Sequence, residues 1–339
     1  MFKTFLWLLV VMIFGMILLG GFTRLTGSGL SIVEWQPLMG ALPPLNEADW
    51  LSLFQKYQTS PEYQKVNLGM TLEEFQGIFW LEFIHRLWGR AIGVVLLIPI
   101  IMSFIKHELR SYRVPLIVLS LLVAGQGLMG WYMVASGLID SPHVSPYRLT
   151  AHLLLGVLIL GLAFLIAMKK TWPREVYMGY SRKSLRKLSI VAFISFGCVL
   201  LTIFYGGLVA GHKAGLIYNT YPLMGGDFFP SDLFFISPEW KNTLANPTTV
   251  QFIHRWMGTL TVTLIFGLTL GFWNADLPHT IKNILRALIG MAAIQFALGL
   301  FTLLLVVPQD LALTHQAGAL ILFILNLALL QKTLPIWWR

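Results

Sequence analysis

Glu82-Phe83-Ile84-His85-Arg86 reappears as Gln251-Phe252-Ile253-His254-Arg255. The two copies lie in apolar runs. Each is followed, 67 and 61 residues later, by a second histidine in another apolar run, His152 and His315. The match extends outward from the histidines. Gly20-Gly21 recurs as Gly206-Gly207, Pro37-Leu38-Met39-Gly40 as Pro222-Leu223-Met224-Gly225, and Gln126 with Gly130 as Gln295 with Gly299. The step of 169 residues that takes His85 to His254 also takes Gln126 to Gln295. The chain therefore reads as two related halves, each with one pair of histidines. At one position the halves differ: Glu82 is an acid and Gln251 an amide. That difference points to one site that reacts and one that only holds.

Composition places these halves in a bilayer. Of 339 residues, 56% are apolar and 12% charged, about half the charge of a soluble domain. Apolar runs of about 20 residues, long enough to span, recur along the chain. Eight are expected, near 4–23, 77–105, 114–135, 149–168, 188–210, 250–273, 284–307 and 312–331. The expected fold is an all-α polytopic membrane protein of eight transmembrane helices, arranged as two pseudo-symmetric four-helix bundles. Residues 1–170 form the first bundle, 171–187 a basic cytoplasmic linker and 188–339 the second bundle. Segments 24–76 and 211–249 are long loops, with amphipathic stretches such as Glu47 to Lys56. Phe2 to Phe22 is too long for a signal peptide and lacks a small-residue cleavage site, so it reads as a retained helix. With no Arg/Ser-rich transit peptide, a bacterial origin is favoured. The single cysteine, Cys198, excludes an internal disulfide and a cysteine-based metal site.

Lysines and arginines set the orientation. Of the 24 present, 15 fall on one side, from Lys3 through Lys106, Lys169, Arg182 and Lys282 to Arg339, against three acids, Glu108, Glu175 and Asp276. That side is cytoplasmic, and both termini lie there. The net charge of +9 follows from this topology; dispersed over short loops, it gives no support to nucleic-acid binding. Because both halves start inside, the repeat is parallel, unlike the inverted repeats of many transporters. All four paired histidines then fall at the outward ends of helices, toward the periplasmic side of a bacterial inner membrane.

A histidine within a membrane is costly and usually functional. Neutral imidazoles ligate iron well, and two on facing helices can clamp a haem. A lone histidine is as readily explained by a hydrogen bond to a neighbouring helix; four, duplicated in pairs at one depth, favour ligation. Zinc fits less well, since it takes three or four ligands and no His-Glu-x-x-His helix is present. Arg86 and Arg255 suit haem propionates. Arg24 and Arg90 do so equally with snorkelling to water. His107 and His279 lie in cytoplasmic loops, His143 in an outer loop, and His212 at an outer helix end with no counterpart in the first half. Glu82 shares a helix face with His85. It is placed to take a proton or to stabilise positive charge on a porphyrin substituent. The competing reading is a structural acid paired with Arg86 or Arg90.

The duplicated motif, the eight spans and the paired histidines resemble the haem A synthase (CtaA/Cox15) family over nearly the whole chain. The resemblance implies oxidation of a methyl substituent of haem O to a formyl group, through two hydroxylations and loss of water, to supply haem A to cytochrome oxidase. It implies that His85 and His152 hold the substrate haem O, that His254 and His315 are axial ligands of one resident haem b, and that Glu82 is catalytic. Electrons drawn from the methyl group would pass to haem b and then to an unidentified acceptor. Haem O synthase and oxidase assembly factors are the implied partners, and the small lipid-facing residues would allow a homo-oligomer. Loop 24–76 lacks the cysteine pair of some bacterial members, which places the chain nearer the proteobacterial and mitochondrial branch. Two other readings stay open: a di-haem b-type membrane electron carrier, and a haem carrier or exporter. Having all four ligands near one face, an unexplained Glu82 and no ATPase motif weigh against them.

Overall fold

The computed structural model describes residues 1–34, 39–138, 142–172 and 180–333. Their regular structure is helical, with one isolated β-bridge between Met224 and Asp227. The chain divides into two compact units, Met1–Ala167 and Met168–Arg339. The first contains α1 (Phe2–Leu25), the loop helices α2 (Glu47–Gln58) and α3 (Pro61–Lys65), α4 (Leu72–Ile105), α5 (Arg113–Ala135) and most of α6 (Pro146–Thr171). The second contains α7 (Arg182–Gly211), the short α8 (Asn242–Ala245), α9 (Pro247–Gly271), α10 (His279–Leu304) and α11 (Gln309–Thr333). Pro37 and Leu38, Arg174, Glu175 and Arg339 lie outside the described residues.

Seven of these helices are long and apolar enough to cross a membrane: α1, α4, α5, α6, α7, α10 and α11. The protein is thus all-helical and multi-pass. α9 has the same 25 residues as α11, but it carries Gln251, His254, Arg255 and six threonines, which lower its apolar character. Several helices outrun the expected spans for local reasons. α4 starts at Leu72 because Thr71 and Glu74 form a reciprocal capping box, with Thr71 N donating to Glu74 Oε2 at 2.8 Å. α7 starts at Arg182 behind the N-cap Ser181, so the basic residues 182–187 form its first turns.

In the first unit α4 packs on α1 and α5. α6 meets α1 through Trp7 and Phe164, whose rings lie edge to face at 5.8 Å. In the second unit α7 packs on α9, α9 on α10, α10 on α11 and α11 on α7, closing a ring of four. Large apolar side chains such as Val94, Leu97, Ile101 and Phe104 on α4 face outward, as lipid-facing residues do. Val306 and Val307, between α10 and α11, both have left-handed backbone angles (φ 61° and 60°). That is rare for β-branched residues.

The amphipathic stretch beginning at Glu47 is α2. It lays Trp50, Phe54 and Tyr57 on Phe75 and Phe79 of α4, with Tyr57 stacked on Phe75 at 5.1 Å. Glu62 of α3 is buried under this cover. Its carboxylate accepts from Tyr57 Oη at 3.1 Å, and Tyr57 Oη accepts from Asn67 Nδ2 at 2.7 Å. Burial raises the Glu62 pKa to about 7; the Tyr57 bond opposes this, and the nearby Glu82 charge adds to it. A carboxyl raised above its unfolded value of 4.5 stabilises the fold fully below that pH, and this contribution is lost as pH rises through about 7. The loss amounts to ~3 kcal/mol at most. Glu62→Gln is therefore expected to raise the thermal midpoint relative to wild type at pH 8 and to change it little at pH 5. Parallel melting profiles across that range would contradict this.

Candidate functional site

Every paired histidine rests on a glycine of the neighbouring helix. A Cβ at Gly130 of α5 would lie 3.1 Å from His152 Cε1 of α6, and one at Gly206 of α7 would lie 3.1 Å from His254 Cε1 of α9. At Gly299 of α10 the distance to His315 Cε1 of α11 is 2.7 Å, and at Gly20 of α1 the distance to His85 Nε2 of α4 is 3.1 Å. The repeated glycines thus have a steric purpose: a side chain at any of the four would push its imidazole away. Within each unit the two histidines lie close enough to interact electrostatically, His85 with His152 and His315 with His254.

The repeated glutamines lie one turn before the α5 and α10 glycines. Gln126 Nε2 donates to His152 O at 2.9 Å, and Gln295 Nε2 donates to His315 O at 3.0 Å. Gln295 Nε2 is also 3.1 Å from His315 Nδ1. His254 Nδ1 lies 3.1 Å from Thr202 O. Among the described residues no hydrogen bond reaches Nε2 of any of the four; at His152, His254 and His315 it is Cε1 that lies nearest the glycine, whereas at His85 it is Nε2 itself.

Glu82, only 3% exposed, is saturated with donors. Oε2 accepts from Ser31 Oγ at 2.7 Å and Ile32 N at 2.8 Å, and Oε1 accepts from Arg86 NH2 at 2.6 Å and Nε at 3.1 Å. Arg86 also donates to Ile32 O at 2.9 Å and Glu34 O at 3.1 Å. The second unit repeats this strut. Arg255 NH2 donates to Tyr218 O at 2.9 Å and Thr220 O at 2.5 Å. The step that takes Gly20 to Gly206 takes Ile32 to Tyr218 and Glu34 to Thr220. Gln251 Nε2 donates to Tyr218 O at 3.1 Å. Each arginine after the histidine therefore ties the preceding loop to the helix. Sequence reasoning assigned these arginines to propionates and missed the loop carbonyls, because the partners lie 32 to 54 residues away. Arg255 Nε remains buried without a hydrogen-bond partner.

Arg24 stands in the last turn of α1, and Arg90 one turn beyond Arg86 on α4. His212 caps α7 and brings Nε2 within 2.9 Å of Leu244 O; it clamps the loop between α7 and α9. Ser31, the hydroxyl partner of Glu82, had no motif to announce it.

Fold and site define a multi-pass helical membrane protein with two imidazole pairs seated on glycines, only one of them backed by a buried acid. A model of the COX15-CtaA family, described as cytochrome oxidase assembly protein, matches residues 3–327. The chain belongs to this family. It is 48% identical over 322 residues to a protein of Nitrosospira multiformis named heme A synthase, covering 94% of this chain and 90% of that one. Proteins of the same name from Nitrosomonas eutropha and Paramagnetospirillum magneticum are 44% and 46% identical, with 96% and 95% of this chain and 92% and 91% of theirs covered.

Proposed function

We propose that the chain is a haem A synthase of a bacterial inner membrane, oxidising a methyl substituent of haem O to a formyl group. The carrying observation is the duplicated imidazole pair on glycine seats, with a buried carboxylate in the first copy alone. The name shared by the relatives points the same way. In this reading α9 is the eighth span, and the eight form two four-helix bundles with both termini cytoplasmic and the sites toward the periplasm. His85 and His152 hold the substrate haem O, and His254 and His315 hold one haem b.

The residues fit a haem. The glycine seats leave each ring room, Nε2 of His152, His254 and His315 is turned from the nearest seat contact and that of His85 becomes so by a half-turn of its ring, and the buried Arg255 Nε awaits an anionic partner. Arg24 and Arg90 are the other candidates for propionates, with Arg86 contributing what its loop bonds leave. A bound haem b supplies one-electron acceptor chemistry. Glu82 stands three residues before His85 on α4, its carboxylate held by four hydrogen bonds. It is therefore placed to stabilise positive charge at the reacting substituent or to assist proton removal there. Haem O synthase and oxidase assembly factors stand on either side of such a reaction. The passage of electrons beyond haem b is left to an external acceptor.

The test is reversed-phase chromatography of haems extracted from the protein co-expressed with a haem O synthase. Wild type is expected to yield haem b, haem O and haem A, and His254→Ala to lose haem b and stop conversion. Haem b alone in the wild type, with haem O available, would favour an electron carrier instead.

A further inference from the structure

The two imidazole pairs are held with unequal firmness. In the second unit each ring has a polar neighbour at Nδ1: Thr202 O for His254 and the Gln295 amide for His315, both at 3.1 Å. Among the described residues of the first unit neither ring has one. His152 Nδ1 is buried with no hydrogen-bond partner. Gln126, at the position of Gln295, reaches only the His152 carbonyl. Among the described residues no hydrogen bond reaches the His85 ring. The His85 ring also sits differently on its glycine. It turns Nε2 and Cδ2 toward Gly20, whereas the other three turn Cε1 and Nδ1 toward theirs. A half-turn about Cβ–Cγ exchanges these edges and would give His85 the seat of the others.

A histidine that binds iron through Nε2 carries its proton on Nδ1. An acceptor there fixes the tautomer and ring orientation and makes the ligand more basic. The Thr202 carbonyl is such an acceptor. Gln295 Nε2 is the atom at His315 Nδ1 here; a half-turn of the amide brings the unpartnered Oε1 there instead and gives up the bond from Nε2 to His315 O. Gln126 Oε1 is likewise without one, so the two amides differ in reach rather than in kind.

Resting on the proposed function, we infer that Gln295 is a positioning residue that locks His315 as a permanent haem ligand. Gln126, set off from Nδ1, leaves His152 and His85 free to turn, so that the first pair can take up and release its haem. An enzyme whose substrate and resident group are both haems needs this distinction. Substrate must leave as product, while the resident group must not follow it.

The experiment measures transfer of haem b from the purified full-length holoprotein to excess apomyoglobin, together with the haem b midpoint potential. Gln295→Leu is expected to speed transfer about 10- to 100-fold and to raise the potential. Gln295→Glu, which supplies an acceptor, is expected to restore retention and lower the potential. Should the leucine variant not fold, the downward shift in Gln295→Glu decides alone. Gln126→Leu is expected to leave both readings at wild type. Wild-type retention and potential in Gln295→Leu overturn the inference, as do equal effects of Gln126→Leu. These outcomes leave the proposed function standing. A wild type purified without haem b removes that function, and this inference with it.

Discussion

Glu82→Gln is expected to cut haem A formation at least 100-fold while haem b stays bound. The amide keeps one oxygen for Ser31 and Ile32 N, so the loop before α4 remains attached. Its NH2 group, however, faces the Arg86 guanidinium where Oε1 accepted two bonds. The site changes from a neutral ion pair to a net cation one turn from His85. A positive charge developing on the porphyrin substituent would then meet repulsion instead of compensation. Breaking such a pair from one side costs about 3–5 kcal/mol when buried. Arg86 is one-fifth exposed, so the structural penalty should fall below that range. Haem O conversion, followed by extraction and chromatography with haem b as internal reference, separates the outcomes. Normal conversion in Glu82→Gln would reduce this residue to a strut for the loop. Parallel loss of haem b would mean that the damage is to folding.

Gly299→Ala is expected to strip haem b from the protein. Its methyl group would stand 2.7 Å from His315 Cε1, nearer than packed atoms approach, so the ring must leave its seat. Misplacing an axial ligand is expected to cost at least the 10- to 100-fold in affinity that follows loss of an outer-shell partner. Gly290 lies on the same helix with nothing within 4 Å of an added Cβ. Gly290→Ala should therefore keep haem b and gain slightly in helix stability. The Soret absorbance per protein of the two variants gives the answer. Equal haem content would show that the glycine seat is incidental.

Much of this arrangement was legible because it repeats. His85, His152, His254 and His315 stood out by their pairing, and the glycines and glutamines by recurring at the same spacing. What they do needed three dimensions: the glycines seat the rings, and the glutamines reach across to the next helix. The amphipathic segment at Glu47 was legible from its pattern and is α2. The partners of Glu82 were not, because Ser31 and Ile32 stand 51 and 50 residues away in a loop with no periodicity. Helix ends ran past the apolar runs wherever a polar cap, such as Thr71 with Glu74, extended them. α9 shows the reverse effect: the polar residues that made it conspicuous as a site also lowered its apolar signal.

The strut between helix and loop bears on how the halves differ. Glu82 takes the amide hydrogen of Ile32, whereas Gln251 gives a hydrogen to the carbonyl of Tyr218 at the matching loop position. An acid at position 251 would set a carboxylate against a carbonyl oxygen. To accommodate it, the Tyr218 peptide would have to turn over, and the bond from Arg255 to the same oxygen opposes that turn. A single change at position 251 therefore does not reproduce the Glu82 arrangement. Each loop has settled around the group it meets, so acid and amide are not interchangeable between the halves.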